Sequence, residues 1–127
     1  MGVVDEEYRL YYHNSAKLAC KMGRYDLELL AWQNALHLDP YDSLAQRRLE
    51  RCLRERADLL EMIAEAEQQL AETPEDVKTR HYLAHHYFSE GRIAEAKAQW
   101  EQVAAIETEN WSKHARKMIR KHCWSVE

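Results

Sequence analysis

Histidine is the residue type in this chain best suited to chemistry, and two of the seven histidines have an informative spacing. His81 and His85 are four residues apart, so on a helix both imidazoles lie on one face, as two ligands of a metal ion would. Zinc normally takes three or four ligands, and the local sequence supplies no third one. We therefore predict polar or ligand-contacting histidines here, with no metal and no cofactor.

Other catalytic arrangements are not found in the sequence. The three glycines are isolated, so no Gly-rich loop can hold a phosphate. Neither a Ser–His–acid nor a Cys–His pattern stands out. Cys20, Cys52 and Cys123 are odd in number and widely spaced, which fits neither a disulfide framework nor a zinc site. The chain is predicted not to be an enzyme, and its cysteine content favours a cytoplasmic location.

Charge is unevenly distributed along the 127 residues, whose formal net charge is −4. Residues 113–127 carry +4, so the remainder carries −8. The basic C-terminal segment raises nucleic acid or an anionic membrane surface as alternative partners. The acidic chain as a whole argues against nucleic acid, and no apolar run approaches the ~20 residues of a membrane span. We predict neither nucleic-acid binding nor a membrane span.

The elements that position these side chains follow from an internal repeat. Gly23 and Gly91 have the same spacing as Trp32 and Trp100, and this spacing is twice that between Pro40 and Pro74. Apolar residues recur every three or four positions on both sides of each central glycine, which predicts two amphipathic helices joined by a turn. Few glycines and prolines and many helix formers indicate an all-α protein.

Residues 12–40 and 80–108 resemble the tetratricopeptide repeat, a helix-turn-helix unit whose period of about 34 residues matches the spacing of the two prolines. The residues that carry the resemblance are Tyr12, Ala16, Ala19, Gly23, Tyr25, Trp32, Ala35 and Pro40 in the first unit, and Leu83, Ala84, Tyr87, Gly91, Ile93, Ala96, Trp100 and Ile106 in the other. Glu28 departs from the pattern, because alanine is usual there. If Glu28 is buried and unpaired it costs stability, and Glu28→Ala is then expected to stabilise the fold.

The resemblance implies an α-α superhelix that forms one domain over residues 1–127. Its units are expected at about 9–40, 43–74 and 77–108, followed by a capping helix over 110–124. Thr73 is predicted to cap the first helix of the last unit, with Pro74 at its first position. The C-terminal helix places Trp111 and Ala115 on an apolar stripe that suits an open solenoid end.

The middle unit allows two interpretations. The first is a degenerate repeat with a turn near residues 56–58, favoured because solenoids of fewer than about three repeats are usually unstable. The second is a single helix over residues 42–72, ~45 Å long at 1.5 Å per residue. A single helix would separate the two end repeats and favour a dimer.

In the tetratricopeptide family the first helix of each unit lines a concave groove, and the resemblance places basic and apolar side chains there. The peptide-binding residues it implies are His13, Lys17, Lys21, Arg47, Arg51, Arg54, Lys78, His81, His85 and Phe88. This composition suits an acidic, partly apolar peptide. Of the residues matching the family's chaperone-tail clamp, His13, Lys17, Arg48, Lys78 and Tyr82, only Lys78 agrees, which argues against that ligand.

Two functions are consistent with these features. The first is a protein–protein interaction module or adaptor that binds an acidic or amphipathic peptide or helix in the basic groove. The second is a structural or assembly scaffold that self-associates, for example as a homodimer, through the convex face, the open ends or the middle helix.

Overall fold

The computed structural model describes residues 3–106 and 109–123, which form six helices and no strand. The helices are α1 (Val3–Met22), α2 (Tyr25–Leu38), α3 (Ser43–Glu72), α4 (Val77–Glu90), α5 (Ile93–Ala104) and α6 (Glu109–His122). The predicted all-α class is therefore confirmed. None of the helices in the described residues is long and apolar enough to cross a membrane. The predicted unit limit at 108 and helix end at 124 lie outside the described residues.

One glycine ends the first helix of each of the two predicted helix pairs. Gly23 and Gly91 have φ values of 72° and 88°, a left-handed conformation that costs other residues energy. Beyond each glycine the next amide N–H reaches back to the helix, from Arg24 to Ala19 O at 3.0 Å and from Arg92 to Tyr87 O at 2.8 Å. These bonds satisfy carbonyls that the helix end leaves free. The turns expected at both glycines are confirmed.

The chain forms two compact units, unit 1 (Met1–Asp58) and unit 2 (Leu59–Glu127). The core of unit 1 packs Ala16 of α1 against Trp32 and Ala35 of α2 and Ala45 of α3. In unit 2 α4 packs on α5, and α6 packs on both of them. The buried residues of unit 2 include Leu83, Ala84, Trp100, Val103 and Ala115. The small residues Ala16 and Ala84 are fully buried, as expected where two helices pack closely.

The middle segment is one helix, and the predicted turn near residues 56–58 is wrong. α3 runs without interruption for 30 residues. The tripeptide Arg56-Ala57-Asp58 contains neither glycine nor proline, so nothing local ends the helix there. Cys52 and Leu59 are both buried, one in the part of α3 belonging to unit 1 and the other in unit 2.

The predicted start of α4 at Thr73 and Pro74 is also wrong. The first helical residue is Val77, and Asp76 caps the helix by accepting a 3.1 Å hydrogen bond from the Thr79 N–H. Pro74 instead follows the end of α3, consistent with its inability to continue a helix. The Asp76 carboxylate is a good acceptor at an N-cap, so the first turn forms after it.

Candidate functional site

Unit 1 contains a depression of about 310 Å³ between α1, α2 and the first half of α3. We call it the basic groove, and its lining residues are Ala16, Lys17, Cys20, Lys21, Glu28, Trp32, Leu44, Arg48 and Arg51. Ala16 and Trp32 are buried and form an apolar floor, while Leu44 is partly exposed. Because alanine has a small side chain, Ala16 leaves room for the depression above this floor.

Four basic side chains surround this floor. Lys17 and Lys21 are one turn apart on α1, and Arg48 and Arg51 are three residues apart on α3. All four residues are exposed, so they are available to a ligand. Arg51 also pairs with Glu55 at 3.2 Å, but its side chain keeps 44% of its surface exposed. Such a surface pair is weak and can exchange for a ligand carboxylate.

One acidic residue, Glu28, lies in the basic groove. It is only 3% exposed, and the Trp32 Nε1–H donates a 3.1 Å hydrogen bond to its Oε2. The other carboxylate oxygen, Oε1, is buried without a hydrogen-bond partner. Burying a charged oxygen without a hydrogen-bond partner is costly, so Oε1 is an unsatisfied acceptor that destabilises the fold.

The structure brings three of the predicted groove residues of unit 1 together and leaves three others out. Lys17, Lys21 and Arg51 line the basic groove. Arg47 does not line it, but its neighbour Arg48 does. From the sequence, Arg48 was named only as a residue that does not match the chaperone-tail clamp. Arg54 is outside the groove as well, and pairs with Glu50 on the exposed surface of α3. Helical geometry explains this, since positions 44, 48 and 51 share a face that 47 and 54 only flank.

His13 has a structural role rather than a place in the basic groove. Its ring hydrogen-bonds the Asp42 carboxylate and packs edge-on against Trp32, with ring centroids 5.2 Å apart. Asp42 also accepts the Ala45 N–H at 3.1 Å and so caps α3. Burial acts to raise the pKa of Asp42, but the bonds from Ala45 and His13 outweigh it and the pKa is lowered.

In unit 2, α6 covers most of the predicted peptide-binding positions of α4. His81 and Phe88 are buried, and His85 is partly buried. The Phe88 ring contacts His122 of α6 at a centroid distance of 4.5 Å. Only Lys78 is exposed, with its amine 5.9 Å from the Tyr82 ring. The expectation that His81 and Phe88 face an open groove is wrong, because α6 buries its apolar stripe on this surface.

The histidine pair of α4 meets a third histidine from α6. One ring nitrogen from each of His81, His85 and His114 lies within 4.8 Å of the others. His85 Nε2 and His114 Nε2 are 3.3 Å apart. Ring centroids are 4.6 Å apart for His81 and His85, and 4.8 Å for His81 and His114. We call these three residues the histidine cluster.

Aromatic side chains pack against two members of the histidine cluster, His81 and His85. Trp111 lies 4.8 Å from the His81 ring and Trp100 lies 5.1 Å from the His85 ring. Burial, and then the neighbouring histidines, lower the pKa of both His81 and His85 to about 4. Neutral imidazoles have a free lone pair, which is the form that binds metal ions.

Sequence reasoning found His81 and His85 but missed His114. The available signal was its position on α6, since His114 lies three residues after Trp111 and directly before Ala115, two residues of the apolar stripe predicted to cover the solenoid end. Comparison with protein-family models, with curated proteins and with solved structures gave no match to this chain.

Proposed function

We propose that the chain is a tetratricopeptide-like interaction module that binds an acidic, partly apolar segment of another protein in the basic groove. One observation carries the proposal: Lys17, Lys21, Arg48 and Arg51 surround an apolar floor. Cations at a rim attract carboxylates, and the floor provides contact with an apolar side chain.

The buried Glu28 further restricts the chemistry of the expected ligand. A carboxylate placed on the floor would meet the buried Glu28 charge, so the acidic groups of the ligand belong at the rim. The expected ligand therefore has acidic residues on either side of one apolar residue.

The family resemblance supports the same function. Two helix pairs, α1 with α2 and α4 with α5, have matching glycine turns and matching buried tryptophans. A superhelical arrangement of these pairs and a cytoplasmic location belong to this proposal. The three cysteines are free thiols, as suits a reducing compartment.

The test is selection from a displayed random peptide library on the immobilised chain, followed by affinity measurement with a fluorescein-labelled winner. The groove variant is Arg48→Glu/Arg51→Glu, and the matched control is Arg47→Glu/Arg54→Glu. Each pair lies on α3, changes the charge equally and breaks one surface ion pair, Arg51 with Glu55 or Arg54 with Glu50. Circular dichroism checks that both variants stay folded.

We expect the selected peptides to be rich in Asp and Glu around an apolar residue. The groove variant should weaken binding by about tenfold or more, since each exposed charge contributes up to ~1 kcal/mol and reversal adds repulsion. The control should change affinity much less. Equal loss in the two variants, or selected peptides without acidic residues, would contradict the proposal.

Self-association is the second candidate, favoured by an exposed apolar surface on α1 and α2. Tyr11, Leu18 and Met22 of α1 meet Leu27 and Leu30 of α2 around a second depression. Leu18 keeps 61% of its surface exposed, which is unusual for leucine in a pair of packed helices. The finding that α3 is one long helix also agrees with this candidate.

Light scattering over a range of concentrations tests this second candidate. A mass that rises with concentration, and that returns to the monomer value in Leu18→Glu/Leu30→Glu, would support self-association through this surface. A monomer at all concentrations would reject it.

A further inference from the structure

We propose that His81, His85 and His114 form a binding site for a divalent transition-metal ion of the zinc type, which fastens α6 to α4. The inference stands apart from the basic groove, because the two sites share no residue.

The spacing of the nitrogens fits a metal site. Two nitrogens on one tetrahedral zinc, each ~2.0–2.1 Å from the ion, lie about 3.3–3.4 Å apart. His85 Nε2 and His114 Nε2 are already 3.3 Å apart. The third nitrogen, from His81, completes a set whose members lie within 4.8 Å of one another. Ion binding therefore requires the three nitrogens to come closer together through small changes in side-chain torsion angles.

Hydrogen bonding within the protein does not account for all of the cluster. His85 and His114 can share one hydrogen between their Nε2 atoms. His81 Nδ1, however, is buried and has no partner. Buried polar groups are normally paired, so an orphaned ring nitrogen beside two more imidazoles indicates a missing ligand. A metal ion bound by His81 through Nδ1 would provide that partner.

Donor chemistry selects the ion. Three imidazole ligands suit zinc, cobalt, nickel and copper, whereas magnesium and calcium prefer oxygen ligands. Three protein ligands leave a fourth position open, as in sites that hold a water or an exogenous group. His114 also lines a surface depression with Lys113, Lys117 and Arg120. Those cations favour an anion, such as hydroxide or a carboxylate, at the open position.

The rings are also held in place. Trp111 packs beside His81 and Trp100 packs edge-on to His85, which restricts rotation of the two imidazoles. Because His81 and His85 are on α4 and His114 is on α6, a bound ion links the two helices directly. A metal at this position would therefore hold α6 over the surface of α4.

The experiment titrates Co²⁺ and then Zn²⁺ into the metal-free chain, without a polyhistidine tag, and compares wild type with His114→Asn and with the control His37→Asn. His37 is an exposed histidine of α2. Tetrahedral Co²⁺ has strong visible absorption and octahedral Co²⁺ has weak absorption, so the spectrum reports coordination. X-ray absorption of the zinc-loaded wild type counts imidazole ligands independently of any variant.

We expect one ion per chain, a tetrahedral cobalt spectrum and three imidazoles around zinc. His114→Asn should weaken zinc binding by more than about 100-fold, since loss of mere outer-shell partners already costs 10–100-fold. His37→Asn should bind as the wild type does. The proposal is overturned if the wild type gives no saturable tetrahedral cobalt spectrum, or if X-ray absorption finds fewer than three imidazoles, or if His37→Asn weakens zinc as much as His114→Asn.

Discussion

Replacing Glu28 by glutamine tests how the protein tolerates a buried carboxylate in the basic groove. Glutamine keeps the shape of the side chain and keeps an oxygen that accepts the Trp32 Nε1–H, now bonded at 3.1 Å. It removes the charge and replaces Oε1, which has no hydrogen-bond partner, with an uncharged amide group. Glu28→Gln therefore changes mainly the cost of burying an ion.

The magnitude follows from three opposing contributions. Burying a carboxylate costs several kcal/mol, here taken as ~4, after the protein relaxes. The hydrogen bond from Trp32 weakens by about 1 kcal/mol when its acceptor is neutral. Attraction to the four exposed cations of the groove is worth about 2 kcal/mol in total at ordinary salt. The net expectation is that Glu28→Gln stabilises the fold by about 1 kcal/mol, or roughly 3–6 °C in Tm at this size.

Thermal and urea unfolding, followed by circular dichroism and tryptophan fluorescence, measure the change. Glu61→Gln is the control, because it removes the same charge from an exposed position and should stay within about 0.5 kcal/mol of wild type. High salt screens the attraction to the cations, so the advantage of glutamine should grow as salt is raised.

Two results would refute this reasoning. A lower Tm for Glu28→Gln would mean that the basic side chains stabilise the carboxylate by more than its burial costs. An advantage that shrinks with salt would show that charge repulsion elsewhere was relieved instead. Glu28→Ala, which introduces the residue usual at this position of tetratricopeptide repeats, is expected to stabilise the fold less than Glu28→Gln, because it leaves the Trp32 N–H without an acceptor and opens a cavity.

Thiol reactivity, backbone strain, acid stability and metal loading give further tests. Cys20 is exposed, whereas burial raises the pKa of Cys123 and raises that of Cys52 to about 12. One thiol should therefore react with Ellman's reagent in the native chain, and three should react in urea. Two fast-reacting thiols in the native chain would contradict this. Gly23→Ala should cost about 1–2 kcal/mol in urea unfolding, since Gly23 has a φ of 72° and open space around an added Cβ, and an unchanged midpoint would disprove the strain. The lowered pKa of Asp42 stabilises the fold above about pH 4 and loses that effect as pH falls, so Asp42→Asn should show a shallower acid loss of stability than wild type; identical slopes would argue against it. Zinc at 100 times its Kd should stabilise the chain by about 2.7 kcal/mol in a chelator-reversible manner, and a Tm equal to that in chelator would contradict the histidine site.

Much of the fold follows from local signals in the sequence. Gly23 and Gly91 end α1 and α4 where predicted, because a left-handed residue is needed there and only glycine supplies it cheaply. A single helix over residues 42–72 was the second interpretation of the middle unit, because the repeat period favoured a turn at residues 56–58. No glycine or proline supports that turn, and the local helix propensity determined the outcome.

The candidate sites were predictable only in part, for a physical reason. Lys17 and Arg51 could be placed because each helix of the basic groove has a regular face. Which of Arg47 and Arg48 lines the groove depends on a rotation of α3 of only a few tens of degrees, which tertiary packing sets. His114 is distant from His81 in the sequence, and their pairing depends on how α6 packs on α4.

The two sites use corresponding positions of the repeat in different ways. Lys17 and His85 have the same sequence spacing as the two turn glycines. In unit 1 this face of α1 borders the first half of α3 and leaves a basic groove beside it, whereas in unit 2 α6 covers the face and adds His114. Under the two proposals, the covering helix, rather than the repeat itself, would determine whether this face binds a peptide or an ion. Because the sites share no residue, Arg48→Glu/Arg51→Glu should leave zinc affinity unchanged, and His114→Asn should leave peptide affinity unchanged. A change of zinc affinity in the arginine variant, or of peptide affinity in His114→Asn, would show that the two sites are coupled.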